Sequence, residues 1–98
     1  MLSWPPKDSG DKADFGINWS AALMDGETIT SSTWTIEPND ITVGDGTNGM
    51  PAPSHTSTIT TVWLGGGQAG RSYHVHNNIT TSQGRTYCRH VNLEVREH

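Results

Sequence analysis

The chain has 98 residues, 32% hydrophobic and 16% charged, with a formal net charge of -4. That length allows one domain with one core and leaves no room for a second. The scattered negative charge gives no basic footprint for direct nucleic-acid binding, and no segment approaches the roughly 20 apolar residues of a membrane helix. Cys88 is the one cysteine, so no internal disulfide can form, and it reads as a small residue on a strand.

In chain order, residues 1–13 read as an extended N-terminal arm and residues 14–98 as the domain. Pro5 and Pro6 lack an N–H and keep the arm out of a central strand, while Trp4 is its large apolar handle, expected as an anchor onto its own domain with docking onto a neighbouring subunit as the alternative. The arm and the C-terminal tail are expected to touch other subunits, so that deleting residues 1–12 leaves a folded domain with impaired assembly. Phe15, Ile17 and Trp19 alternate along a first strand from Asp14 to Ser20. A turn over Met24 to Glu27 leads into a second strand, Glu27 to Ile36. There Ile29 has the opposite parity to Trp34 and Ile36, which predicts a β-bulge at Ser31-Ser32 and makes Trp34 a central core residue.

Ile41 to Val43 is a short strand before a Gly- and Pro-rich loop from Gly44 to about Ser54. Met50 is that loop's only large apolar residue and a candidate partner contact. Thr56 to Leu64 is a Thr-rich strand ending at a glycine corner, Gly65 to Gly70. Beyond the corner, Tyr73, Val75, Asn77, Ile79 and Thr81 share one face, and His74, His76, Asn78 and Thr80 the other. The pattern Gly70-x-x-Tyr73-x-Val75 resembles the tyrosine corner of immunoglobulin-like sandwiches. A turn over Thr81 to Arg85 precedes the last strand, Thr86 to Arg96, with Val91, Leu93 and Val95 inward and Cys88 and His90 outward. The expected fold is therefore all-β, an immunoglobulin-like β-sandwich of about seven short antiparallel strands, with Trp34, Tyr73 and Gly70 as structural residues.

No residue is assigned to catalysis, cofactor binding or metal binding. His74 and His76 share a strand face, with His90 opposite on the next strand; three imidazoles can hold Zn2+, but a solvated or partner-facing row is the expected role. Asp25 with Glu27, and Glu94 with Glu97, lack the apolar enclosure that an acid–base pair needs. Trp4, Trp19, Trp34 and Trp63 offer a sugar-stacking platform only if they are exposed together.

Five blocks carry a family resemblance: Trp4-Pro5-Pro6-Lys7-Asp8; Asp14-Phe15-x-Ile17-x-Trp19; Gly26-x-Thr28-Ile29-x-x-Ser32-x-Trp34; Thr60-Thr61-Val62-Trp63-Leu64-x-Gly66-Gly67; and Tyr73-x-Val75-x-Asn77-x-Ile79-Thr80-Thr81-x-x-Gly84-Arg85-Thr86. Together they resemble the phage fiber-tail adaptor proteins, small immunoglobulin-like virion components. His74, His76, Tyr87-Cys88 and the 44–54 loop depart from that pattern. The resemblance implies a non-enzymatic protein made in the host bacterial cytoplasm and incorporated into the virion in multiple copies. Its implied partners are other tail, neck, fiber or capsid proteins. Capsid decoration is the alternative role and carbohydrate binding a further one; Trp4, Pro5, Pro6, Met50, His74, His76 and His90 are the candidate interface residues.

Overall fold

The computed structural model describes residues 2–96, and every regular element in that range is a strand. They are β1 (Leu2–Ser3), β2 (Lys7–Asp8), β3 (Lys12–Asn18), β4 (Ile29–Glu37), β5 (Ile41–Val43), β6 (Ser54–His55), β7 (Ile59–Gly66), β8 (Ser72–Thr81) and β9 (Thr86–Arg96). The predicted strands are all present, with boundaries moved by a few residues. The two-residue pieces β1, β2 and β6 are additional, being too short for alternation to mark them.

The first sheet has the order β1-β9-β8-β4, with β2 continuing along β9 beyond β1; the second has the order β3-β7-β5, with β6 also paired to β7. Alternation turns one face of each sheet inward. Val75, Ile79, Val91, Leu93 and Val95 of the first sheet meet Ile17, Ile41, Val62 and Leu64 of the second in one buried cluster. The result is an all-β sandwich.

Not every pairing is antiparallel. β1 and β2 run parallel to β9, Leu2 and Ser3 beside Val91 and Asn92, then Lys7 and Asp8 beside Val95 and Arg96. From Ser3 to Lys7 the arm takes four steps while β9 takes three from Asn92 to Val95, so one residue of Trp4-Pro5-Pro6 is extra. The prolines fall where the ladder is broken and no N–H is missed. The arm therefore lies along its own domain and covers the edge that β9 would otherwise expose.

The second predicted irregularity is also present. The β4–β8 ladder steps from Ile29↔Thr81 to Ser31↔Thr80, which places the extra residue at Thr30, one position before the expected bulge. Ile29 is buried, and Trp34 and Ile36 pack against the same core despite their opposite parity. Trp34 is not central, however. It is half-buried on the edge strand β4, and its indole N–H has no hydrogen-bond partner among the described residues.

At the glycine corner, the Tyr73 hydroxyl accepts the Gln68 N–H at 2.9 Å, the backbone bond that the Tyr73 pattern predicted. Gly70 sits at φ +83°, a conformation costly for any residue with a Cβ, and its N–H donates to Val95 O at 2.7 Å. Desolvation of the buried phenol pushes the Tyr73 pKa up, so the group stays a neutral hydroxyl. Tyr73→Phe removes the acceptor of the Gln68 N–H, a loss of about 1 kcal/mol. For a domain of this size, calorimetry is expected to show the thermal midpoint about 4–8 °C lower. An unchanged midpoint would mean that the corner is held by packing alone.

Candidate interaction surface

The outer face of the first sheet is built by the β8–β9 ladder, which opposes His74 to Asn92, His76 to His90 and Asn78 to Cys88. On the other side of β8, β4 adds Glu37 beside His74, Thr35 beside His76 and Thr33 beside Asn78. Side chains on this face are small, polar or imidazole, and half-buried to exposed. The predicted histidine row is thus real but unequal: the His76 and His90 ring centroids lie 4.2 Å apart, whereas His74 lies in the neighbouring row with Glu37 and Asn92.

The arm supplies little free surface, because Trp4 anchors onto its own domain, the expected reading. Trp4 stacks on Phe15 with ring centroids 4.9 Å apart, and its indole N–H donates to Gly16 O on β3 at 3.1 Å. It thereby ties the β1 edge of one sheet to the β3 edge of the other. Lys7 is 2% exposed and donates to Gly66 O and Asp8 O, both at 2.7 Å. Burial pulls its pKa down, with the Asp11 and Asp8 charges opposing that shift. Pro5 and Pro6 remain exposed.

Met50 is not the exposed handle it was expected to be, since only 3% of it is accessible. Gly65 leaves the space that Met50 fills: a Cβ there would lie 3.1 Å from both the Met50 Sδ and Cε. At the start of the loop, a Cβ on Gly44 would overlap Pro51 O, and the Gly44 N–H bonds to Trp63 O at 2.8 Å. Asp45 Oδ1 accepts the Thr47 N–H, the Thr47 hydroxyl and the Asn48 N–H, and Asn48 Nδ2 donates to Val43 O. A glycine-rich loop is thus folded around a methionine plug between β5 and β6.

The exposed large apolar side chains among the described residues are Met24 and Ile59. Both lie at the end of the sandwich where the 20–28 and 56–58 segments meet, linked by the Trp19 N–H to Thr58 O and Ile29 N–H to Ser57 O bonds. Neither is legible in the sequence, because a Met in a turn and an Ile opening a strand carry no pattern that marks them as exposed.

None of the four tryptophans is exposed, so they form no common platform; the Trp19 indole N–H is bonded to Thr60 Oγ1 and Asn77 Oδ1 in the interior. Glu27 is no acid–base partner either. Its carboxylate accepts the Thr81 hydroxyl at 2.6 Å and the Met24 N–H at 2.9 Å, and those bonds hold its pKa below the ordinary 4.5. Glu97 lies outside the described residues, as do Met1 and His98, so the tail contact expected of them is not described. Because the Glu27 pKa is depressed on folding, its stabilisation is complete above the ordinary carboxylate value and fades as pH falls through the folded-state value. Glu27→Gln is expected to flatten the acid limb of a plot of thermal midpoint against pH. Parallel limbs for the two proteins would remove Glu27 from that role.

Residues 7–94 match the family model described as podophage GP4 fiber-tail adaptor protein gp77. No curated protein matches the chain.

Proposed function

Because the chain belongs to the podophage fiber-tail adaptor family, we propose that it is a non-enzymatic virion component that joins tail or neck proteins, working as one of many copies in the particle. The observation that carries this reading is the family match over residues 7–94, which spans both sheets. The surfaces support it. β4 ends the first sheet on the side away from the arm, and Ser31, Thr33 and Thr35 are exposed along it. An edge of this kind accepts a partner's strand through main-chain hydrogen bonds. The polar row beside it, His74, His76 and His90 included, suits a wet interface better than an obligate apolar one.

A reconstruction of the assembled particle tests the role. Density for this sandwich at the tail–fiber junction or neck is the expected result; density on the capsid lattice, or absence from the particle, overturns it. The edge is tested separately with Ser31→Lys/Thr35→Lys, which places cations along β4 as native sheets do to block edge pairing. That variant should fold normally and fail to incorporate. Incorporation at the parental level would move the contact away from β4.

A further inference from the structure

The hairpin of β8 and β9 gathers three side chains of metal-ligating type, His76, Cys88 and His90. His76 and His90 oppose each other in the ladder, and Cys88 lies two residues before His90 on the same side of β9. One ligand-capable atom from each of the three lies within 4.8 Å of the others. Cys88 and His90 are exposed and His76 is half-buried. Apart from the ring contact between the histidines, these side chains have no hydrogen-bond partner among the described residues, so their donor atoms are free for a ligand.

The chemistry narrows what that ligand is. One thiolate and two imidazoles form a soft to borderline set that disfavours Mg2+ and Ca2+ and suits Zn2+ and its spectroscopic substitute Co2+. Tetrahedral Zn–N and Zn–S bonds of about 2.0–2.3 Å place neighbouring donors roughly 3.3–3.7 Å apart. The trio needs to close by about 1 Å, which side-chain rotation on a fixed ladder can supply. Nor does a cation on the strand stand in the way: Arg89, between Cys88 and His90, turns to the opposite side, where its guanidinium lies 4.7 Å from the Trp19 ring centroid.

We propose that His76, Cys88 and His90 form a Zn2+ site on the outer face of the first sheet, with the fourth coordination position open to solvent. Binding converts the Cys88 thiol to a metal-bound thiolate and releases one proton to the buffer. Affinity therefore falls as pH is lowered. Since the ligands come from two strands, the ion also clips β8 to β9.

The untagged, reduced full-length chain is titrated with Co2+ and then with Zn2+ in competition. The expected result is one equivalent of Co2+ with a thiolate-to-metal charge-transfer band, displaced by Zn2+, and a thermal midpoint that rises with Zn2+. Cys88→Ser abolishes the band, and His76→Asn and His90→Asn each weaken binding at least about tenfold. His74→Asn leaves binding unchanged. Cys88 faces solvent, so Cys88→Ser keeps the metal-free midpoint and separates lost ligation from lost folding. The proposal is overturned by an absent charge-transfer band, by no binding at 100-fold excess metal, or by Cys88→Ser binding as tightly as the parent.

Discussion

Asn77→Leu lowers the thermal midpoint by about 12–24 °C, the expected consequence of losing about 3 kcal/mol from a domain of this size. Asn77 is fully buried on β8 and uses both ends of its amide. Its Oδ1 accepts the Trp19 indole N–H at 3.1 Å and the Thr60 hydroxyl at 2.6 Å, reaching towards the second sheet. Its Nδ2 donates to Ser32 Oγ and Thr33 O on β4, both at 2.9 Å. Leucine matches the volume, so little cavity forms and the loss is polar. Trp19 keeps its 3.1 Å bond to Thr60, but the Thr60 hydroxyl proton is stranded where water does not reach. A stranded buried donor costs about 1–3 kcal/mol, and the two lost amide donations about 0.5–1.5 kcal/mol each. Urea and thermal unfolding measure the total. The double variant Asn77→Leu/Thr60→Val is expected to depart from the sum of its singles, because both remove the Thr60–Asn77 bond and only the pair leaves the Trp19 N–H with neither acceptor. A midpoint within 4 °C of the parent would show that the network contributes little.

Deleting residues 1–8 destabilises the sandwich by about 4 kcal/mol and makes it self-associate, against the expectation from sequence that a truncated chain stays folded. Loss of a packed tryptophan alone costs about 3–5 kcal/mol, less for one that is half-buried. Trp4 takes with it the Phe15 stack and the Gly16 bond, and Lys7 takes the bond to Gly66 O. Removing β1 and β2 also uncovers the edge of β9, an 11-residue strand whose inward residues Val91, Leu93 and Val95 are buried. Exposed edges of that length pair with one another. Unfolding midpoints together with light scattering at several concentrations report the two effects. A truncated chain that is monomeric with the parental midpoint would return the arm to a purely external role.

Local pattern explains what could be read from the sequence. Alternation from Tyr73 to Thr81 and from Val91 to Val95 marks the buried faces of β8 and β9. The opposite parity of Ile29 and Trp34 required a bulge, and it lies within a residue or two of where it was expected. The missed features depend on partners distant in sequence. Met50 looked exposed because nothing in the loop shows that Gly65, fifteen positions later, leaves it a socket. The arm looked free because parallel pairing with β9 leaves no short-range signature.

Cys88 is an intermediate case. Pairing counted back from the turn, where Thr80 opposes Thr86, places His76 against His90 and Cys88 against Asn78. The histidine pair is within reach of that count, whereas a single cysteine on a strand carries no sequence signal that marks it as the third member of a cluster.

The pairing of β1 and β2 with β9 joins residues far apart in the chain, Leu2 to Val91 and Lys7 to Val95. Translation at about 5–20 residues per second leaves the Trp4 segment without its partner for roughly 5–20 s, until β9 leaves the ribosome. Closing the loop from Leu2 to Val91 is a highly non-local step, and such contacts slow folding. On each nascent chain the arm is therefore an unpaired strand beside a forming sandwich, within reach of any other chain that has already exposed a β9 edge. During that interval, docking in cis competes with pairing to a neighbouring chain's open β9 edge.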